Sequence, residues 1–285
     1  MKKKILILGA SGMIGNILLR YLSSKKKITV FGTVKSIYSI KAMKYYDNFN
    51  LIFNVDVEKK KLTNTLDNLK PDIVINCIGL IKHLVRVNSP SRFIYLNSFF
   101  PHYLVNLSSK YNFRLIHISS DCVFSGLKGN YNESDLPDAT DLYGRSKLMG
   151  EVNYSNSITL RTSVIGHELN SSKQLLEWFL SQAQNVIGYQ KAIYSGITTL
   201  ELARVIYKYI IPNKHLKGLY NISSNPISKY DLLLLINKIY AKKINIASDH
   251  KFCIDRSLNS YRFKKETGFK SKSWEYMIQE MHDYR

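Results

Sequence analysis

Cysteine is scarce. The three present, Cys77, Cys122 and Cys253, are odd in number and far apart, and offer neither a disulfide framework nor the close spacing of metal ligands. That pattern fits a reducing compartment, and the cytoplasm is the expected location. No run approaches the roughly 18 apolar residues of a membrane span. Low-complexity blocks, proline-rich linkers and internal repeats are also missing, which argues against a disordered chain. The apolar stretch after Met1 and its three lysines contains Gly9, Gly12 and Gly15, then Asn16 and Arg20, with no small-residue cleavage site, so it does not read as a signal peptide.

Acidic residues are also few: 21 Asp and Glu stand against 41 Lys and Arg, for a net charge of +20. Such an excess attracts polyanions, whether nucleic acid, an anionic membrane or a phosphorylated substrate. The alternative is compositional drift toward Lys, Ile, Asn and Tyr, with the lysines on solvated faces. They fall in short groups (Lys2 to Lys4, Lys25 to Lys27, Lys59 to Lys61) at the ends of predicted elements. No recognition motif or aromatic-interleaved basic run accompanies them, so neither nucleic acid nor membrane is an expected partner. A basic surface would still favour a diphosphate substrate.

The chain does have the material for a core, being 45% hydrophobic. Short, β-branched, nearly continuous apolar runs occur at Ile5–Leu8, Ile28–Phe31, Leu51–Phe53, Ile73–Asn76, Leu115–Ile118 and Ile158–Leu160. This is the signature of strands buried on both faces. Helical patterns separate them at Ile14–Leu22, Leu62–Leu69, Ile94–Tyr111 and Leu142–Val152. The alternation predicts an α/β fold with a doubly wound parallel Rossmann sheet, whose ligand lies at the carboxyl ends of the strands. Beyond Thr162 the rhythm weakens. Helices are predicted at Lys173–Ala183, Thr199–Tyr209, Lys229–Tyr240 and Trp274–Met281, with a strand at Gly218–Ile222. The expected division is a dinucleotide-binding core over 1–165 and a smaller, mostly helical substrate-binding lobe over 166–285, partly interleaved with it.

Three local patterns carry chemistry. First, the strand Ile5–Leu8 runs into Gly9-Ala-Ser-Gly12-Met-Ile-Gly15, which opens a helix. Gly9 permits the turn, Gly12 lets backbone N–H groups approach a pyrophosphate, and Gly15 allows close helix–strand packing. After the second strand no acid waits for the ribose hydroxyls. Lys35, with Thr33 and Ser36, is instead poised for a 2′-phosphate, or is one more surface lysine; NADPH is the expected cofactor and NADH stays open. Asp56 is placed to bond the adenine amino group. Second, Tyr143 and Lys147 stand four residues apart, on one face if the segment is helical. A nearby ammonium favours the phenolate and lowers its pKa. Third, His117-Ile-Ser-Ser-Asp-Cys-Val-Phe124 runs off the fifth strand and offers a hydroxyl near a nicotinamide.

Together with Asn76-Cys-Ile-Gly79 and Leu160-Arg-Thr162, these segments resemble the extended short-chain dehydrogenase/reductases, and within them the dTDP-4-dehydrorhamnose reductase-like proteins of surface-polysaccharide synthesis. Ile227-Ser-Lys-Tyr-Asp-Leu and Ile254-Asp-Arg-Ser-Leu-Asn add to the likeness. The resemblance implies an NAD(P)H-dependent oxidoreductase acting on a nucleotide-diphospho-sugar, specifically a 4-keto-6-deoxy-sugar. It implies Tyr143 as general acid, Lys147 as holder of the nicotinamide ribose, and Ser120, where relatives usually have Thr, as the hydroxyl that orients the carbonyl. Cofactor contacts are implied for Gly9, Ser11, Gly12, Met13, Ile14, Gly15, Lys35, Ser36, Asp56, Val57, Cys77, Ile78, Gly79, Tyr143 and Lys147. Substrate contacts are implied for Ser120, Asp121 and Arg256, and no metal. Asn97 is a supporting residue, and a homodimer stays open.

Other reactions of the same fold leave different marks. Sugar dehydratases place Asp-Glu after the catalytic hydroxyl, whereas here Cys122 follows Asp121. Epimerase-reductases use a cysteine and a histidine; Cys122 is one place late, and His167 reads as structural. A non-catalytic NADP-binding regulatory protein is the remaining alternative, and it would not need Ser120, Tyr143 and Lys147 together.

Overall fold

In the computed structural model, residues 2–36, 46, 48–59, 62–84, 89–169 and 171–284 are described; Lys60 and Lys61 of the third lysine group lie outside them. Strand β1 (Lys3–Leu8) sets the plan. Alternate side chains of a strand point to opposite faces, so Ile5 and Ile7 enter one core while Leu6 and Leu8 enter the other. All four are fully buried, each stabilising the fold by roughly 1.5–3 kcal/mol. One face is covered by α1 (Met13–Ser23), through Leu18, Leu19 and Leu22. The other is covered by α2 (Leu62–Leu69) and by the helix continuing α3 (Pro90–Phe93) into α4 (Phe100–Tyr111).

Around β1 run β2 (Ile28–Thr33), β3 (Asn50–Ile52), β4 (Ile73–Asn76), β5 (Arg114–Ile118) and β6 (Ser157–Arg161), every pair parallel. A seventh strand, β10 (Gly218–Asn221), adds to β6, and the order is β10-β6-β5-β4-β1-β2-β3. The chain is thus a doubly wound parallel sheet whose order reverses between β1 and β4, where a crevice opens at the strands' carboxyl ends. This strand, predicted over Gly218–Ile222, comes from the second half of the chain and completes the edge of the first.

Helix α5 (Leu142–Met149) follows β5 and stops at Gly150, three residues short of the predicted end. Between α3 and α4 the helix widens into a π-helical turn over Ile94–Phe99. Such bulges concentrate at functional sites, and here the wide turn carries Asn97.

The second half contains more strand than its sequence pattern announces. After the pair β7 (Val164–Ile165) and β9 (Ile197–Thr198) and helix α6 (Leu175–Ser181), a three-stranded sheet forms. Its central strand β8 (Val186–Tyr194) pairs antiparallel with β11 (Ile227–Ser228) and parallel with β12 (Ile246–Asp255). Helix α8 (Lys229–Ile239) packs on this sheet, α10 (Trp274–Asp283) lies against α8 and α7 (Thr199–Val205), α7 lies against α1, and α9 (Tyr261–Thr267) packs beside β10. Strand β12 was missed because it is an edge strand with mostly exposed side chains and a register shift between Asp249 and Cys253, so no alternation is imposed on it. No helix among the described residues is long and apolar enough to cross a membrane.

Candidate active site

The glycine turn is built by close contact. Gly9 has φ +81°, a left-handed conformation that favours glycine. A Cβ on Gly15 would fall 2.2 Å from the Gly9 carbonyl oxygen, and one on Gly32 would fall 2.7 Å from the Ala10 side chain. The first turn of α1 therefore lies directly on the loop that leaves β1. Gly12 occupies the helix N-cap with no side chain to satisfy the first N–H groups, and no acidic residue sits in that turn. Unclaimed N–H groups at a helix start form an anion-binding site, so this cradle fits a dinucleotide pyrophosphate.

The loop after β4 closes the other side. Asn76 Oδ1 accepts the Ile78 N–H at 3.1 Å, leaving its amide NH2 3.1 Å from His117 Nδ1. Burial holds the His117 pKa well below its ordinary value, with Lys147 and His102 acting in the same direction. A Cβ on Gly9 would touch Ile78 at 3.0 Å, and one on Gly79 would lie 3.9 Å from Lys147 Nζ. The glycine turn, Ile78, Gly79 and Lys147 are contiguous. Burial pushes the Cys77 thiol up to about 12, against the pull of Lys147.

Lys147 is buried, and its ammonium donates to the carbonyl of Ile118, the last residue of β5, at 2.7 Å. Burial lowers its pKa to about 8, opposed by Glu151 and Cys77. Asp141 caps α5 by accepting the Gly144 N–H at 2.9 Å and receives Lys82 at 2.8 Å. This fixes Tyr143 in the first turn, one turn before Lys147. The Tyr143 pKa is raised, not lowered: burial dominates, Cys122 and the acids Asp121 and Asp141 add to it, and a hydrogen bond with Ser120 opposes it. The predicted lowering by Lys147 is therefore corrected. In this structure the ammonium is committed to the Ile118 carbonyl, and desolvation decides the direction.

Ser120 caps the short turn Asp121–Val123. Its Oγ accepts the Cys122 N–H at 3.1 Å and donates to Asp121 Oδ1 at 3.1 Å. Burial raises the Asp121 pKa against the pull of Lys229 and Arg256. Arg256, from just beyond β12, reaches across to donate to the Phe124 carbonyl at 2.8 Å, with Nη1 3.9 Å from Cys122 Sγ. Burial and Asp121 push the Cys122 thiol up to about 12. His167 is held elsewhere, 2.5 Å from Glu177 and 2.9 Å from the Tyr240 hydroxyl, so no cysteine–histidine pair forms.

Lys35 stands at the far end of the crevice in a charge cluster. Its ammonium lies 3.2 Å from Asp56 and 3.1 Å from Glu58, and Glu58 also receives Arg92. Partial burial works against the ammonium, and the bonds to Glu58 and Asp56 outweigh it and raise its pKa. A 2′-phosphate meeting Lys35 must share it with these carboxylates. Val57, in the same turn, is buried.

The family model described as the RmlD substrate binding domain matches residues 2–284. The chain belongs to this family. The dTDP-4-dehydrorhamnose reductase of Aggregatibacter actinomycetemcomitans is 25% identical over 253 residues, 85% of this chain and 81% of that one. Methionine adenosyltransferase 2 subunit beta of Mus musculus is 22% identical over 261 residues, 87% of this chain and 74% of that one. Among solved structures, a dTDP-4-dehydrorhamnose reductase from Bacillus anthracis in complex with NADP superposes with a TM-score of 0.81 at 19% identity, covering 100% and 99% of the two chains.

Sequence reasoning missed Lys229 and Glu151. Lys229 is the first residue of α8; its ammonium sits 3.9 Å over the Tyr194 ring and interacts electrostatically with Asp121 and Cys122. The signal was available, because Ser228 and Asp231 form an N-cap pair that fixes where α8 starts. Glu151 receives Ser119 at 2.7 Å and Nε and Nη2 of Arg161 at 2.8 and 2.7 Å, in a buried pair behind the site.

Proposed function

We propose that this protein is an NADPH-dependent reductase of a nucleotide-linked 4-keto-6-deoxy-sugar, as in the formation of surface-polysaccharide precursors. The observation that carries the reading is the convergence of Ser120, Tyr143 and Lys147 beside the glycine cradle, where β5 ends. The reduced nicotinamide, when bound, supplies a hydride to the carbonyl carbon. Tyr143 hands its phenolic proton to the carbonyl oxygen as that charge develops. Its raised pKa keeps the proton in place until then. Ser120 polarises the same oxygen by a hydrogen bond. The Lys147 ammonium, two hydrogen bonds short of its full complement of three donors, holds the ribose hydroxyls and offsets charge on the phenolate. Gly9, Ser11, Gly12, Met13, Ile14 and Gly15 receive the pyrophosphate, while Cys77, Ile78 and Gly79 line the cofactor. Lys35, Ser36, Asp56 and Val57 surround the adenosine end. Asp121 and Arg256 face the substrate.

Cys122 in place of a carboxylate disfavours dehydration, and the engagement of both His167 nitrogens disfavours epimerisation. The likeness to a methionine adenosyltransferase subunit favours a second reading, a binding protein that uses the cradle without turnover. The retention of Ser120, Tyr143 and Lys147 speaks against it. Mixing the protein with NADPH or NADH and a panel of dTDP-, UDP- and GDP-linked 4-keto-6-deoxyhexoses decides between them. Loss of reduced cofactor with one sugar supports the reductase. Tight NADPH binding with no turnover on any sugar supports the binding protein.

A further inference from the structure

The Ser120 hydroxyl and the Tyr143 phenol belong to different elements, so the span between them depends on how those elements are joined. Ser120 follows the end of β5, and Tyr143 lies in the first turn of α5. Two side chains from the far end of α5 reach back to β5, at adjacent residues. Lys147 donates to the Ile118 carbonyl at 2.7 Å. Glu151, four positions later and just past the helix end, accepts the Ser119 hydroxyl at 2.7 Å. Residues 118 and 119 are thus bonded to the last turn of α5, and Ser120 is the next residue of the chain.

Glu151 is itself held. It takes Nε and Nη2 of Arg161, the last residue of β6, at 2.8 and 2.7 Å. The same guanidinium lies 5.1 Å from the centre of the Phe124 ring, and Phe124 closes the short turn that Ser120 opens. That ring also stacks on Tyr131 at 4.1 Å. The turn is fastened at both ends to one buried ion pair, at Ser119 before it and at Phe124 after it. Such a pair contributes little net stability over apolar residues of the same volume. Here its two members meet the two flanks of the turn that carries Ser120.

We propose that Ser119 is a positioning residue for Ser120: its bond to Glu151, beside the bond of Lys147 to Ile118, clamps the end of β5 to α5 and fixes the span between the Ser120 hydroxyl and the Tyr143 phenol. This rests on the reductase reading and deepens it, because both groups must reach one carbonyl oxygen. Ser119 is bonded behind the site and adds no chemical step. Without its hydroxyl, Ile118 stays on Lys147 and the Ser119 N–H stays on the Leu160 carbonyl at 2.8 Å, so the sheet keeps its edge-to-edge pairing. The chain beyond residue 119 is released to turn. Ser120 then meets the carbonyl oxygen at the wrong distance, and a small displacement of a catalytic group costs a large factor in rate.

The test uses Ser119→Ala, which leaves Glu151 on Arg161. In turnover with the keto-sugar that consumes NADPH, this variant is expected to lose about tenfold in kcat, with KM changed by less than about twofold. Made in a Ser120→Ala background, the same substitution is expected to cost less than about twofold further, because the group it positions is gone. An equal loss in both backgrounds, a wild-type kcat, or a change confined to KM overturns the proposal. A second readout needs no sugar. The Cys122 N–H is bonded to Ser120 Oγ at 3.1 Å and reports whether the turn is held. In hydrogen exchange followed by NMR, its rate is expected to rise about tenfold or more in Ser119→Ala, while the amides of β1 keep their wild-type rates. An unchanged Cys122 rate overturns the proposal. If the wild type reduces no keto-sugar, the reductase reading fails, and the Cys122 amide still decides whether Ser119 holds the turn.

Discussion

Asn97 donates its side-chain amide to Ser146 Oγ at 3.1 Å, and through that bond a π-helical turn grips the helix that carries Tyr143 and Lys147. The same side chain exchanges two hydrogen bonds with the backbone of Leu80, accepting its N–H at 2.8 Å and donating to its carbonyl at 3.1 Å. Asn97 is wholly buried, and Gly150 sits so close that a Cβ there would fall 1.8 Å from the Asn97 carbonyl oxygen. One residue thus sets the distance between the loop after β4 and α5.

Replacing Asn97 with Ala leaves the Leu80 N–H and carbonyl buried without partners, at about 1–3 kcal/mol for each unsatisfied group. Asn97→Asp keeps the acceptor and loses the donor. In urea unfolding the wild type is expected to be the most stable, Asn97→Asp intermediate and Asn97→Ala the least, and kcat is expected to fall in the same order.

Gly15→Ala puts a methyl group 2.2 Å from the Gly9 oxygen, a contact no flexible side chain can relieve. Helix α1 must move off the turn, at about 1–3 kcal/mol. Dinucleotide affinity, read by fluorescence titration, is expected to fall at least about tenfold, with a smaller drop in melting temperature.

The buried pair of Glu151 and Arg161, 8% and 3% exposed, predicts a large effect from a small change. Glu151→Gln removes the charge that compensates the guanidinium, and breaking a buried pair from one side costs about 3–5 kcal/mol. The amide keeps one oxygen for Ser119 and Arg161 Nε and turns an NH2 donor toward Arg161 Nη2. Urea unfolding checks the magnitude, and retention of wild-type stability would contradict this account of the pair.

Lys147 makes cofactor binding sensitive to pH. Burial brings its pKa in the folded chain from 10.5 to about 8, so the ammonium that is to hold the ribose is lost as pH rises through that value. NADPH affinity is expected to weaken above it. The linked effect on stability has the opposite sign. Between those two values the unfolded chain holds this proton and the folded chain does not, so the contribution of Lys147 to stability increases with pH there. Affinity measured from about pH 6 to about pH 10, on both sides of the folded-chain value, against a Lys147→Met control checks the first effect.

Much of this arrangement is legible in the amino-acid sequence. Strand Ile73–Asn76 and helix Leu62–Leu69 match their predicted limits because burial on both faces, or on one helical face, forces an apolar pattern. The glycine turn is legible because Gly9 and Gly15 answer a steric demand. The rest is less visible for stated physical reasons. Strands β8 and β12 belong to a small sheet with much exposed surface, where neither alternation nor a continuous apolar run is required. The direction of the Tyr143 pKa depends first on how deeply α5 is packed, and then on Cys122 and Asp121 of another segment. Arg256 meets the Phe124 carbonyl across 132 positions of the chain, a proximity that periodicity cannot supply.

The most direct test follows the hydride itself. The protein is incubated with NADPH deuterated at the nicotinamide C4 and with the keto-sugar that consumes cofactor, and the product is examined by mass spectrometry and NMR. The account predicts a single deuterium at the former carbonyl carbon, formed by the wild type and not by Tyr143→Phe. Deuterium-free product, or equal labelling by the Tyr143→Phe protein, would contradict it.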